Sequence, residues 1–345
     1  MNTILTFILG CLLLISAGNN NDMDLQGTTY RVTCGDVSLF DGREVRNGTL
    51  IISEGDYLLR VKKNGASCLR IGDSTELVID GTLRLAPNDF KQYDMIRIVG
   101  KNVKIHGKGC LIGDKFTHTG DEGEWGMGIN FRGATDATLS ELTIKDCWGD
   151  CVYVGKKSGK VIIEDCHLDN GRRQGISVTD ADSVIIRNCN ISNVSGTFPQ
   201  YGIDIEPNRN CSVNYALIEN VDVTDCEGGI RALVPKAGKG NAFIGTVEIF
   251  NCRVSAKSRY PIHLCACKTG TVERCTIDAT NERPCIYANY VENLTICNNT
   301  LNVDTQLYAS IKNKLKKLVG KSSYSTIRVV HASPEGVKDN KIVEK

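Results

Sequence analysis

Proline is scarce in this chain, 7 residues in 345, and no proline-, serine- or charge-rich linker divides it. The formal net charge is only +1, which excludes a strongly basic nucleic-acid binder and a strongly acidic tail protein. There is no Gly-rich phosphate loop and no Ser-His-Asp arrangement in its usual context. Beyond residue 15 no apolar run is long enough to cross a bilayer, so no transmembrane segment is expected. Within residues 1–18 the apolar stretch Ile4 to Ile15, followed by Ser16, Ala17 and Gly18, reads as a signal peptide. Its n-region has no Lys or Arg. Cys11 sits in a poor lipobox, so the expectation is a secreted, periplasmic or cell-surface protein without a lipid anchor.

What is abundant is glycine, 34 residues, and cysteine, 16. In an exported protein that many cysteines would suggest disulfides. Their placement follows a repeat instead. The segments ATLSELTI (137–144), VIIEDCHL (161–168), VIIRNCNI (184–191), ALIENVDV (216–223), VEIFNCRV (247–254) and LTICNNTL (294–301) align, with VERCTI (272–277) between the last two. One column reads Leu142, Cys166, Cys189, Val221, Cys252, Cys275, Asn299, at spacings of 24, 23, 32, 31, 23 and 24 residues. The unit is therefore about 23 residues, and two units carry insertions. The column before it reads Glu141, Asp165, Asn188, Asn220, Asn251, Arg274, Asn298. Asn-rich corners tolerate left-handed backbone. The Cys column behaves as small buried filler, and free stacked thiols are favoured over Cys166–Cys189 and Cys252–Cys275 bridges.

A second strand recurs as GINF (128–131), CVYV (151–154), GISV (175–178), GIDI (202–205), GIRA (229–232), PIHL (261–264) and CIYA (285–288). Its second and fourth positions are apolar, the period-two pattern of a strand with one buried face. Units this short cannot close a core alone and must stack. Parallel crossovers are right-handed. The expected fold is all-β, a single-stranded right-handed parallel β-helix over residues 61–345, with residues 19–60 as an N-terminal cap. Residues 307–319 have helical spacing for a capping helix, and 325–330 with 339–344 look like a last irregular coil.

The outward third position reads Asn130, Tyr153, Ser177, Asp204, Arg231, His263, Tyr287. It places Asp204, Arg231 and His263 on consecutive coils, with Glu206 on the same parity, all within roughly 10 Å. The insertions 196–201, 207–216 and 234–245 flank these coils, and loops on a rigid scaffold commonly carry binding sites. Arg172, Arg173 and Lys236 add positive charge suited to capturing a carboxylate. The competing structural reading is that Asp204, Arg231 and an upstream Arg simply pair across coils. His118 lies in a polar loop, 113–126, that would border the groove; His106 lies on an early coil and His167 at an exposed corner. Cys265 and Cys267 with His263 hint at zinc, but no four-ligand set is visible. Six Asn-x-Ser/Thr sequons, at Asn47, Asn190, Asn193, Asn210, Asn293 and Asn298, matter only where secreted proteins are glycosylated.

Over about residues 60–300 the chain resembles the pectate-lyase-like superfamily of right-handed β-helix proteins. The resemblance rests on KNVKIHGKGCLIGD (101–114) and the coils GDCVYV, GRRQGISV, YGIDIEPN and GGIR. It implies a protein that binds or cleaves acidic polysaccharides. Tyr201-Gly202-Ile203-Asp204 is similar to the start of the Tyr-Gly-x-Asp-Pro-His motif of mannuronan epimerases, with Ile205 and Glu206 replacing Pro and His. Trp148-Gly149-Asp150-Cys151 looks like the Gly-Asp-Asp-Cys of polygalacturonases with one Asp missing. Gln174-Gly175 stands where that family has Gly-His-Gly, and Arg231-Ala232-Leu233 where it has Arg-Ile-Lys. Pectate lyases imply carboxylates holding Ca²⁺, here Asp204 and Glu206, and a basic residue removing a proton.

The expected function is thus a carbohydrate-active enzyme using β-elimination on a uronate polysaccharide, with hydrolysis or C5 epimerisation as alternatives. The expected catalytic residues are Asp204, Arg231, His263, Glu206 and Asp150. The expected substrate contacts are Arg172, Arg173, Tyr201, Tyr153, Tyr287 and Lys236. A non-catalytic glycan-binding or adhesive protein, or a purely structural solenoid, are the rival classes.

Overall fold

The computed structural model describes residues 22–34, 40–234, 240–304, 306 and 326–344. The expected signal peptide, the expected helix over 307–319 and Lys236 lie outside the described residues. Three parallel sheets run the length of the molecule, with twelve, twelve and eleven strands among the described residues. Each coil contributes one strand to each sheet, so the hydrogen-bonded neighbour of a strand is the equivalent strand one coil away. The GINF-type strands form the first sheet, the segments that open with the aligned apolar run form the second, and the short strands after the Cys column form the third.

The core is a column of apolar side chains from all three sheets. Val152, Ile176, Ile203, Ile230 and Ile262 stack in register along the first sheet, each with 0% exposure. Burying each such side chain is worth about 1.5–3 kcal/mol, and no coil can realise that gain without a neighbour. Gly175, Gly202 and Gly229 precede three of them, where a larger residue would clash. A Cβ on Gly202 would sit 2.4 Å from Cγ1 of Val223, and one on Gly229 would sit 2.1 Å from the Pro261 carbonyl oxygen.

The Asn-rich corner is left-handed throughout: Glu141, Asp165, Asn188, Asn220, Asn251, Arg274 and Asn298 have φ between 52° and 62°. Short polar side chains adopt that region at least cost and bridge coils there, as Asn220 Nδ2 does in donating to Asn188 Oδ1 at 3.3 Å. A second left-handed column, Asp146, Asn170, Asn193 and Asp225, closes the turn after the third sheet. The thiols of Cys166, Cys189, Cys252 and Cys275 are buried and free. Asn299 ends that column, buried at 1%, and satisfies itself by accepting from the Cys275 backbone N–H at 2.8 Å and donating to the Val272 carbonyl at 2.9 Å.

Two expectations change. Within residues 19–60, expected as a cap, the described residues already include strands of the stack: Met23–Asp24, Thr29–Val32 and Asp56–Leu59 are the terminal strands of the three sheets. Their alternation was too short, two to five residues per strand, to stand out from a loop-rich cap. Cys265 and Cys267 do not share a strand face. Ala266, at φ 59°, turns the corner between Ile262–Cys265 and Cys267–Glu273. Ile327–Val330, Val337–Lys338 and Lys341–Glu344 form the last coil, as expected.

The corner geometry is testable. Asn220→Val, a β-branched residue forced to positive φ, should lower stability by about 1–2 kcal/mol, whereas Asn220→Gly should cost much less. Guanidinium midpoints of the two variants check this, and equal midpoints would overturn the corner argument.

Candidate functional site

The first sheet's outward row is in the register the sequence predicts. Asn130 pairs with Tyr153, Tyr153 with Ser177, Ser177 with Asp204, Asp204 with Arg231, Arg231 with His263, and His263 with Tyr287. Arg70 and Arg97 extend the row at one end and Arg328 at the other.

The middle of this wall is a closed ionic network, not an open groove. Asp204 is 2% exposed and Arg231 8%. Arg231 donates through Nε and Nη2 to the two Asp204 carboxylate oxygens, both at 2.7 Å, and Nη2 also reaches Glu206. Gln174 locks the arrangement, donating Nε2 to Asp204 at 2.6 Å and accepting the Tyr201 backbone N–H at 2.7 Å. Asp150, 0% exposed, is held the same way by Arg173 Nη1 at 3.0 and 3.2 Å. Burial pushes both Asp150 and Asp204 upward from the ordinary carboxylate range, against the pull of their arginines. The Asp150 charge in turn holds Arg173 firmly protonated.

Several expected roles change as a result. Asp204 and Glu206 do not make a calcium pair, because the Arg231 guanidinium occupies the position between them. No group of three or more His, Cys, Asp or Glu side chains among the described residues is arranged for a metal. For the same reason they are not the free acid and base of a hydrolase. Tyr201 is buried at 3%, its ring 4.8 Å from the Arg231 guanidinium and 5.9 Å from that of Arg259, so it supports the wall from within. Arg172 also turns inward. It lies 3.5 Å from the Trp148 ring and donates to the carbonyls of Gly123 and Trp148. His263 packs against Tyr260 and Tyr287, and burial, with Arg231 and Arg283 nearby, drops its pKa to about 4. At neutral pH its imidazole is therefore uncharged.

Beside the network lies an open cleft of about 300 Å³ on the outer face of the preceding coils. Trp125, 44% exposed, forms one wall. Arg132, Lys156, Arg173 and Tyr153 contribute to the lining. Among the described residues Arg132 and Lys156 have no ion-pair partner; the Arg173 charge is shared between Asp150 and, at 3.5 Å, Glu124. Asn130 is 4% exposed. Its Nδ2 donates to Asp94 at 2.7 Å, while its Oδ1 has no partner, an acceptor left unsatisfied beside the cleft. The Asp94 carboxylate is also taken by Arg97.

The 113–126 loop builds the Trp125 wall, and His118 anchors it. The side chain of His118 is fully buried, with Nδ1 2.8 Å from Asp114 and its ring stacked on Trp148 at 3.9 Å. Asp114 also accepts from the Tyr93 hydroxyl and from Asn88. The cleft was only half legible. Tyr153 and Arg173 were singled out; Trp125, Arg132 and Lys156 were not. Two signals were available. Arg132 lies two residues beyond Asn130 on the same outward parity that links Glu206 to Asp204. Ile98 pairs with Phe131, a far longer step than from Phe131 to Val154, which marks a further insertion.

Comparisons with known proteins fit this architecture. The family model for the right handed beta helix region matches residues 59–234. Two Bacillus subtilis proteins are similar in sequence. The SPbeta prophage-derived uncharacterized protein YorA is 25% identical over 271 residues, 71% of this chain and 44% of the relative. The uncharacterized protein YclG is 29% identical over 202 residues, 51% of this chain and 34% of the relative. This chain therefore matches less than half the length of either. Among solved structures, the A-module of the Azotobacter vinelandii mannuronan C-5 epimerase AlgE4 superposes with a TM-score of 0.55 at 12% identity, covering 86% of both chains. The tailspike protein of E. coli bacteriophage HK620, solved with a pentasaccharide, gives 0.54 at 13%, covering 86% of this chain and 58% of that one. The periplasmic alginate epimerase AlgG gives 0.52 at 9%, covering 92% and 77%. At these identities the likeness is one of fold.

A pH prediction follows from His263. Its pKa is depressed in the folded state, so the unfolded chain binds the extra proton first as pH falls. Its contribution is complete above about pH 6.5 and is lost as pH falls toward 4, amounting to about 3 kcal/mol. His263→Phe should remove that part of the slope of stability against pH between 6.5 and 4. An identical slope in the variant would overturn this assignment.

Proposed function

This chain belongs to the right-handed β-helix family, and we propose that it binds a uronate-containing polysaccharide in the Trp125–Arg132–Lys156–Arg173 cleft and cleaves it by β-elimination. One observation carries the reading: Arg132 and Lys156, cations without an ion-pair partner among the described residues, converge with Arg173 on a cleft walled by an exposed indole. An indole face supports a sugar ring, and guanidinium groups take carboxylates in bidentate fashion. Charge neutralisation at the carboxylate acidifies the neighbouring C5 proton; of the lining groups, Lys156 and Tyr153 are those able to take it, after which the C4–O bond breaks, a C4=C5 double bond forms and the glycosidic oxygen leaves, protonated from water. Hydrolysis needs two available carboxylic groups, one of them protonated. Asp150 and Asp204 are both engaged by arginines, which favours elimination over hydrolysis. That engagement also favours a second reading, glycan binding without turnover, because it takes the same carboxylates out of use as bases. The structural neighbours, two epimerases of mannuronan and alginate and a tailspike protein solved with a pentasaccharide, support a glycan ligand through shared fold. The apolar run at residues 4–15 supports export, which we propose on that ground.

Incubation with alginate, polygalacturonate and a neutral glucan, read by unsaturated-uronate absorbance, reducing ends and binding, separates the readings. Elimination predicts absorbance growth on an acidic polymer only. Binding without either product supports the second reading, and no binding to any acidic polymer overturns both. Arg132→Ala and Trp125→Ala should each weaken binding about tenfold, the loss of about 1.4 kcal/mol, with the melting temperature unchanged because both side chains line the open cleft.

A further inference from the structure

We infer that the same wall carries a second glycan subsite, three to seven coils from Asn130 toward the C-terminus, built on Phe198, Arg259, Tyr260, Tyr287 and Arg328. The inference rests on the acidic-glycan reading of the first cleft and adds the length of chain that the molecule recognises.

Tyr260 and Tyr287 stack at 4.9 Å with their planes 21° apart, and so present two ring surfaces to one strip of the wall. Arg328 lies 5.8 Å from the Tyr287 ring and continues the outward row by pairing in register with it. Phe198, 70% exposed, projects from the 196–201 insertion, with the Arg259 guanidinium 4.5 Å from its ring. Arg259 Nε is buried without a hydrogen-bond partner, and neither Arg259 nor Arg328 has an ion-pair partner among the described residues. Glu227, an acid on the neighbouring coil, takes the Ser258 hydroxyl. Aromatic faces with uncompensated guanidinium groups are the chemistry that recognises a sugar bearing a carboxylate.

The span is set by the coils. Asn130 and Tyr287 are separated by six inter-coil steps, or about 29 Å at roughly 4.8 Å each. The Asp204–Arg231–Glu206 network, whose acids are engaged by Arg231, lies between the two cationic regions. A polymer engaging both ends gains affinity by linkage, and a fragment shorter than the span engages only one.

Oligouronates cut from alginate and from polygalacturonate, sorted by length, test this by titration calorimetry. Affinity should rise at least about tenfold once the oligomer exceeds about 29 Å. Arg259→Ala should collapse that long-to-short ratio toward one. Arg328→Ala, at an exposed position, should reduce the ratio in the same direction and serves as the control for folding. Short oligomers that bind with no gain on lengthening, or a ratio untouched by both variants, would overturn the second subsite and leave the first cleft standing. An absence of binding at every length would overturn both.

Discussion

Successive coils must stack in register, and every other feature of the molecule depends on that constraint. A parallel strand in a solenoid finds its hydrogen-bond partners only in the coils on either side. A residue's environment is thus set by its copies one coil away, about 4.8 Å distant, more than by its neighbours in sequence. Inward, the constraint selects β-branched side chains that stack, as in the Val152–Ile176–Ile203–Ile230–Ile262 column. At the corners it selects residues that tolerate positive φ, coil after coil. A slip of one residue would send the outward row into the core, which is why register is held so tightly here.

The same constraint explains the ionic network. An outward row packs charged side chains closer together than water would keep them. Where loops cover the row, each acid needs a partner on the next coil or beside it. Asp204 with Arg231, Asp150 with Arg173 and Asp94 with Arg97 are three solutions of one kind. Buried pairs of this type are costly to desolvate, and removing one member strands the other, which is worth about 3–5 kcal/mol. Asp204 and Arg231 therefore cannot be treated as solvent-facing groups that substitution leaves structurally silent. They are outward in parity and interior in environment, and strand periodicity reports only the first.

That distinction marks how far the sequence could be read. The repeat length, two of the strands in each coil, the left-handed corners, the free thiol column and the register of Asn130 through Tyr287 were all visible, because each is a translation-invariant property of the stack. The first coils were not, since their strands are too short to show a period beside the irregular segments between them. Burial of the outward wall was not visible either, because it depends on where insertions fold. The 113–126 loop is held by contacts among Asn88, Tyr93, Asp114, His118 and Trp148, residues from three different coils. No repeat encodes that clamp.

The charge distribution shows why a nearly neutral chain is suited to an acidic ligand. The formal charge of +1 describes the whole molecule, but the wall does not share it evenly. Asp94, Asp150 and Asp204 each have an arginine, and Glu206 shares that of Asp204. Among the described residues Arg132 and Lys156 on one side of the network, and Arg259 and Arg328 on the other, have no ion-pair partner. Pairing the acids internally has two effects. It lessens the repulsion an anionic polymer would meet in the middle of the wall. It also leaves the cations at the ends to act at short range, where the surrounding rings displace water and weaken screening. A patch of this kind gives selectivity for a flexible anion by spacing, with little help from long-range attraction. The spacing is again the coil rise, so the constraint that forms the core also sets the scale on which the surface recognises its ligand.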